Sequence, residues 1–145
     1  MIALDARPEL TRTRRELARR RAALADLRPL HGAMGRAVLD WSERNFAAQG
    51  ALEGGGGWPP LARTTLAARR RAGLGTVPLQ ATGRLRRGFA LRFDARGATV
   101  TNAVPYAAAH QLGLGVPARP FLPGPAKAAA VALPAAVGRI REVLR

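Results

Sequence analysis

The chain has 145 residues, with 24 lysines and arginines against 9 aspartates and glutamates, a net charge of +15 and no cysteine. That length makes one domain with a modest core, and the missing cysteine excludes disulfides, thiolate metal ligands and thiol nucleophiles. Hydrophobic residues are 48% of the chain but aromatics only 5%, so small side chains must pack around a few anchors: Trp41, Phe46, Trp58, Phe89, Phe93, Tyr106 and Phe121.

Lys127 is the only lysine, so almost all the positive charge is arginine. A bias toward Ala, Gly, Pro and Arg accounts for arginine in place of lysine, but not for the excess of bases over acids. DNA, RNA and an acidic protein ring all match such a surface. Met1 to Arg15 holds no apolar run of a secretory signal. The longest apolar stretch, Ala128 to Gly138, is shorter than the ~20 residues that span a bilayer. Both point to a soluble protein made in the cytoplasm, with no membrane partner.

Along the chain, Arg7 to Leu27 reads as a helix with Pro8 in its first turn and Glu9 near the positive end of its dipole. Leu10, Leu17, Leu24 and Leu27 form one narrow stripe flanked by Arg14 and Arg21, which lies against the same domain or a neighbouring subunit. Pro29 breaks that pattern or opens a second helix. In the second helix Leu30, Met34, Ala37, Val38, Trp41 and Ala48 share a face that ends near Gln49-Gly50, and Phe46 falls off it. Gly54 to Gly57 form a glycine run without the Gly-Lys-Ser/Thr ending of a phosphate-binding loop.

Short helices are predicted from Thr64 to Arg71 and from Thr82 to Arg87. Phe89, Leu91 and Phe93 alternate with polar or small residues, Ala95-Arg96-Gly97 turns the chain, and Ala98 to Asn102 alternates again: a hairpin. Tyr106 to Leu112 reads as a short helix ended by Gly113. Pro117 to Phe121 reads as extended, in the manner of an edge strand. Ala126 to Leu144 closes the chain as a helix that Pro134 kinks or splits.

The parts of an enzyme are scarce. Ser42 is the only serine and lacks a Gly-x-Ser-x-Gly context. His31 and His110 are the only histidines, and neither has a second ligand at metal spacing. Asp40 and Glu43 read as solvated partners of Arg36 and Arg44. Tyr106 and His110, one helical turn apart, read as a hydrogen-bonded structural pair. No catalytic, cofactor or metal site is expected.

Five motifs in order carry more information. They are Trp58-Pro59-Pro60-Leu61 after the glycine run, then Thr64 with Arg69-Arg70-Arg71, then Leu79 to Leu85 with Thr82-Gly83. Tyr106-Ala-x-x-His110-Gln111-x-Gly113 and Pro117-Ala118-Arg119-Pro120-Phe121-Leu122 follow. From about Leu27 to the C-terminus, this order resembles the Mu-type phage virion morphogenesis family, whose members act in tail completion. One departure is the short Leu114-Gly115-Val116 link, where the family often has a longer segment.

The resemblance implies an α+β fold, with N-terminal helices and a C-terminal helix packed on a small antiparallel sheet. It implies one domain over residues 1–145, with a helical arm at 1–28 and a flexible Gly-rich loop at 50–57. It further implies a structural protein of a tailed phage, prophage or phage-derived particle. Such a protein sits in the virion at the tail and neck after assembly in the host cytoplasm, and it completes or terminates the tail and joins it to the head. Its partners would be copies of itself in a ring, a hexamer by this analogy, together with the tail tube, neck and head-completion proteins, and DNA in the lumen. The family-motif residues of structural or interface value are Trp58, Pro60, Leu61, Thr64, Leu79, Thr82, Gly83, Leu85, Tyr106, His110, Gln111, Gly113, Pro117, Arg119, Pro120 and Phe121. Arg119, stiffened by Pro120, is expected to pair with a carboxylate or carbonyl in its own subunit or the next. The alternative reading is a free nucleic-acid-binding protein that uses the arginine-rich first helix.

Overall fold

The computed structural model describes residues 7–145. Its elements in order are α1 (Arg7–Ala25), α2 (Arg28–Ala47), α3 (Ala51–Gly54), α4 (Arg63–Arg71), α5 (Arg84–Arg87), β1 (Phe89–Phe93), β2 (Ala98–Asn102), α6 (Ala107–Leu112) and α7 (Pro125–Leu144). The two strands form one antiparallel hairpin in the register Phe89↔Asn102, Leu91↔Val100, Phe93↔Ala98. Helices lie at both ends of the described chain, so the fold is α+β, as expected.

Helix α2 organises the fold because both its sides are used: α7 packs along it, and so do β1 and β2. Pro29 opens it, in the first turn, where a missing N–H costs nothing. Two glycines let the hairpin approach its backbone. A methyl group at Gly35 would overlap Leu91 Cδ1 and stand 3.0 Å from the Ala98 methyl; one at Gly32 would stand 3.0 Å from the Phe93 ring. The buried face therefore runs through Gly32, Gly35, Ser42, Asn45 and Phe46 as well as Trp41. The stripe read from the sequence was displaced because small and polar residues do not register as core.

This corrects the place of Phe46. It is fully buried and is the hub of the core, with ring centroids 5.2 Å from Trp58, 5.8 Å from Phe89 and 5.7 Å from Phe121. The first two pairs are edge-on, an arrangement that adds about 0.5–1.5 kcal/mol each beyond area burial. Leu79, Leu85, Val104 and Ala107 complete the cluster. Three expected anchors are not in it: Trp41 is buried outside this cluster, and Phe93 and Tyr106 are 46% and 42% exposed. Phe93 lies at the turn end of the hairpin, opposite Ala98, beside Gly32 and with the Arg36 guanidinium 5.9 Å from its ring centroid.

Three other expectations change. Pro117 to Phe121 pairs with no strand; its backbone is held instead by side chains and by the Arg119 N–H to the His110 carbonyl, 2.7 Å. Pro134 lies inside one continuous α7, so it does not split the helix. The helix expected from Thr82 begins at Arg84, because Gly83 takes a left-handed conformation and the Thr82 hydroxyl accepts the Arg84 N–H. The segment 50–57 opens with the single turn of α3, and its ends are tied where the Trp58 N–H meets the Gln49 carbonyl at 2.6 Å.

Candidate functional site

Two of the sequence motifs and the end of α2 converge around one atom. The carbonyl oxygen of Pro120 accepts the Trp58 indole N–H at 2.8 Å and the Asn45 side-chain amide at 3.1 Å. Asn45 comes from the last turns of α2, and its Oδ1 also accepts the Leu52 N–H from α3. An isolated buried carbonyl costs about 1–3 kcal/mol; here both lone pairs are satisfied, and three distant segments are fixed by it.

Next to it, Arg119 is 5% exposed and donates Nε to the Pro59 carbonyl at 2.9 Å and Nη2 to the Pro60 carbonyl at 3.1 Å. Its fork therefore binds carbonyls of its own subunit. A rigid guanidinium suits two adjacent carbonyls in a way a lysine does not. Burial lowers the affinity of Arg119 for its proton, and the nearby Arg69 adds to this. Arg69 is itself engaged, donating to the Gly75 and Val77 carbonyls.

Gln111 completes the clamp from α6. Its Oε1 accepts the N–H groups of Phe121 and Leu122, both at 3.0 Å, and its Nε2 donates to the Leu122 carbonyl at 3.1 Å. This substitutes for the edge-strand pairing expected of the segment and inserts Phe121 into the core.

Tyr106 and His110 do face each other, but as ring edges with centroids 6.0 Å apart rather than as a hydrogen-bonded pair. His110 Nδ1 is buried without a partner. Burial first, then the charges of Arg119 and Arg69, hold the imidazole below its ordinary pKa. A neutral His110 is therefore part of the folded state.

The glycines of the motifs have geometric roles. Gly50 sits at φ +87°, and a Cβ there would collide with the Trp58 indole, which lies against it. Gly113 ends α6 at φ +75° and lies against Ala118. Leu79 and Leu85 are buried in the core, while Thr82 braces Arg87, whose Nη2 meets the Thr82 carbonyl at 2.9 Å. Leu61 and Gly83 are half-buried; Pro60, Thr64 and Pro117 are exposed.

The sequence reading missed Asn45 as a polar linchpin, along with Gly50 and Glu53. Glu53 accepts the Gly124 N–H at the start of α7, 3.1 Å away. The signal for Asn45 was its place beside Phe46, three residues after Ser42 on the same helix face. Asn102 is a similar case: it ties the end of β2 to the Leu85 carbonyl at 2.7 Å and accepts the Val104 N–H.

No catalytic constellation forms among the described residues. The Ser42 hydroxyl donates to the Val38 carbonyl inside α2. No group of three His, Asp or Glu side chains is placed to hold a metal, and no described helix is long and apolar enough to cross a membrane. Asp40 and Glu43 are exposed and form no ion pair there with Arg36 or Arg44.

Fold and site define an α+β domain whose motif residues hold its own backbone. The chain belongs to the phage virion morphogenesis family, whose sequence model matches residues 8–137. The match begins inside α1, so the likeness reaches further toward the N-terminus than Leu27. Membership gives the chain a structural role in building a phage particle. No curated protein and no solved structure matches it.

Proposed function

We propose that the protein completes or terminates the tail of a phage or prophage particle and joins it to the head at the neck, as one subunit of a ring. The observation that carries this reading is where apolar surface stays open. Leu112 at the end of α6, Leu114 and Val116 after it, and Leu133, Ile140 and Leu144 on α7 are all exposed, from 37% to 66%. Large apolar side chains left in water over several faces mark protein interfaces. Several distinct faces suit head-to-tail contacts, in which one patch meets a different patch on the next subunit and a ring closes. The buried knot around Pro120 and Arg119 would keep those faces in fixed relation. By analogy with the family the ring is hexameric, and its contacts are the tail tube and the neck and head-completion proteins.

Deleting the gene in its parent phage or prophage, inducing, and imaging particles by negative stain tests the reading. Filled heads apart from tails of irregular length are expected. Normal joined virions would overturn the tail role. A second reading, nucleic-acid binding, has one observation in its favour: the exposed arginines of α1, such as Arg12, Arg15 and Arg19. Tight duplex binding with a steep salt dependence at physiological ionic strength would favour it.

A further inference from the structure

We infer that α1 is a docking helix for an acidic amphipathic helix of a different protein. Leu10, Leu17 and Leu24 recur every seventh residue, with Leu27 continuing the row, and they are 57%, 60%, 42% and 39% exposed. At 1.5 Å per residue, Leu10 to Leu24 is a bare apolar seam about 21 Å long. At its far end the seam runs into a groove of about 290 Å³ between α1, the start of α2 and α7, lined by Leu24, Leu27, Leu30, Ile140 and Val143. Its own chain therefore leaves the seam uncovered, although α1 is anchored: it packs on α7, and Arg20 reaches the Arg145 carbonyl.

The charge around the seam selects the occupant. The helix carries seven arginines and two glutamates, and Arg14 and Arg21 each follow a seam leucine by four residues. Nucleic acid would neutralise the arginines but leave the leucines in water. A second copy pairing through its own α1 would cover the leucines but set the same arginines against each other, and any other face belongs to a chain of +15. An acidic helix with its own apolar stripe satisfies both at once, in the manner of a coiled coil whose flanking charges choose the partner. The inference rests on α1 alone and holds whether or not the protein terminates a tail.

The test uses the full chain and fluorescence anisotropy. The probes are a synthetic peptide of about three heptads with leucine seams and glutamate flanks, a peptide of the same composition with its leucines scrambled, and a duplex DNA. The patterned peptide is expected to bind at least about tenfold tighter than the scrambled one. The Leu10→Gln, Leu17→Gln double variant, changed only at exposed positions, is expected to lose that margin while its thermal unfolding stays in place. Equal binding of the two peptides, a margin that survives the double variant, or duplex DNA bound more tightly than the patterned peptide would each overturn the inference. Self-association of the free chain that the double variant abolishes would also overturn it, in favour of a second copy.

Discussion

Arg119 donates its Nε–H to the carbonyl oxygen of Pro59, 60 positions away in the chain, at 2.9 Å and nearly out of reach of water. With the second bond to Pro60 it makes the two proline-rich motifs a single rigid unit. Neither carbonyl can be paired by a neighbouring strand, so the guanidinium does what a sheet would do elsewhere.

Removing that fork should be costly. Arg119→Ala leaves two carbonyls without their donors, and hydrogen bonds to a charged group are worth about 1.5–3 kcal/mol each. A loss of about 2–4 kcal/mol in urea unfolding is expected, with Arg119→Lys recovering only part of it. An alanine variant as stable as the parent would show that the fork contributes nothing.

Asn45 and Trp58 share the Pro120 carbonyl, so their contributions should not add. Either Asn45→Ala or Trp58→Phe leaves one donor in place. The double variant leaves none, and a coupling of about 0.5–3 kcal/mol is expected for partners in one network. Strict additivity in a double-mutant cycle would mean that the two donors act independently.

Two glycines four residues apart should respond in opposite ways to alanine. Gly50 is at φ +87° with the Trp58 ring against it, so Gly50→Ala brings backbone strain and displaces a core aromatic. A loss of about 2–4 kcal/mol is expected, within the range of strain and overpacking. Gly54 ends α3 with nothing within 4 Å of an added methyl; Gly54→Ala should be neutral or gain up to about 1 kcal/mol. Thermal midpoints of the two variants decide it.

Acid should weaken the fold through His110. Burial and the charges of Arg119 and Arg69 depress its pKa in the folded chain, while the unfolded chain takes up the proton near the ordinary value of about 6.5. Below that value the unfolded state holds more protons, so stability falls as pH drops, until the folded pKa is passed. Above it the stability from the neutral ring is fully present. Urea midpoints from pH 8 to 5 should decline, and His110→Gln should flatten the decline between pH 7 and 5. A midpoint that rises on acidification across that interval would contradict the assignment.

What the sequence determined by itself was whatever repeats with a local period or has a local stop. The helical stripe of α1, the alternation of Phe89, Leu91 and Phe93, the turn before β2 and the glycine that ends α6 each depend on neighbours a few residues away. The order of the motifs sufficed for the family, because order is a property of the chain alone. Tertiary structure decided which side of α2 is core, since glycines and an asparagine become interior only when the hairpin and α7 close on them. It also decided that Phe46 is the hub while Phe93 and Tyr106 stay in water. The partners of Arg119, Gln111 and Trp58 are backbone carbonyls and amides, which every residue carries. No side-chain pattern could mark which of them the fold would bring within 3 Å.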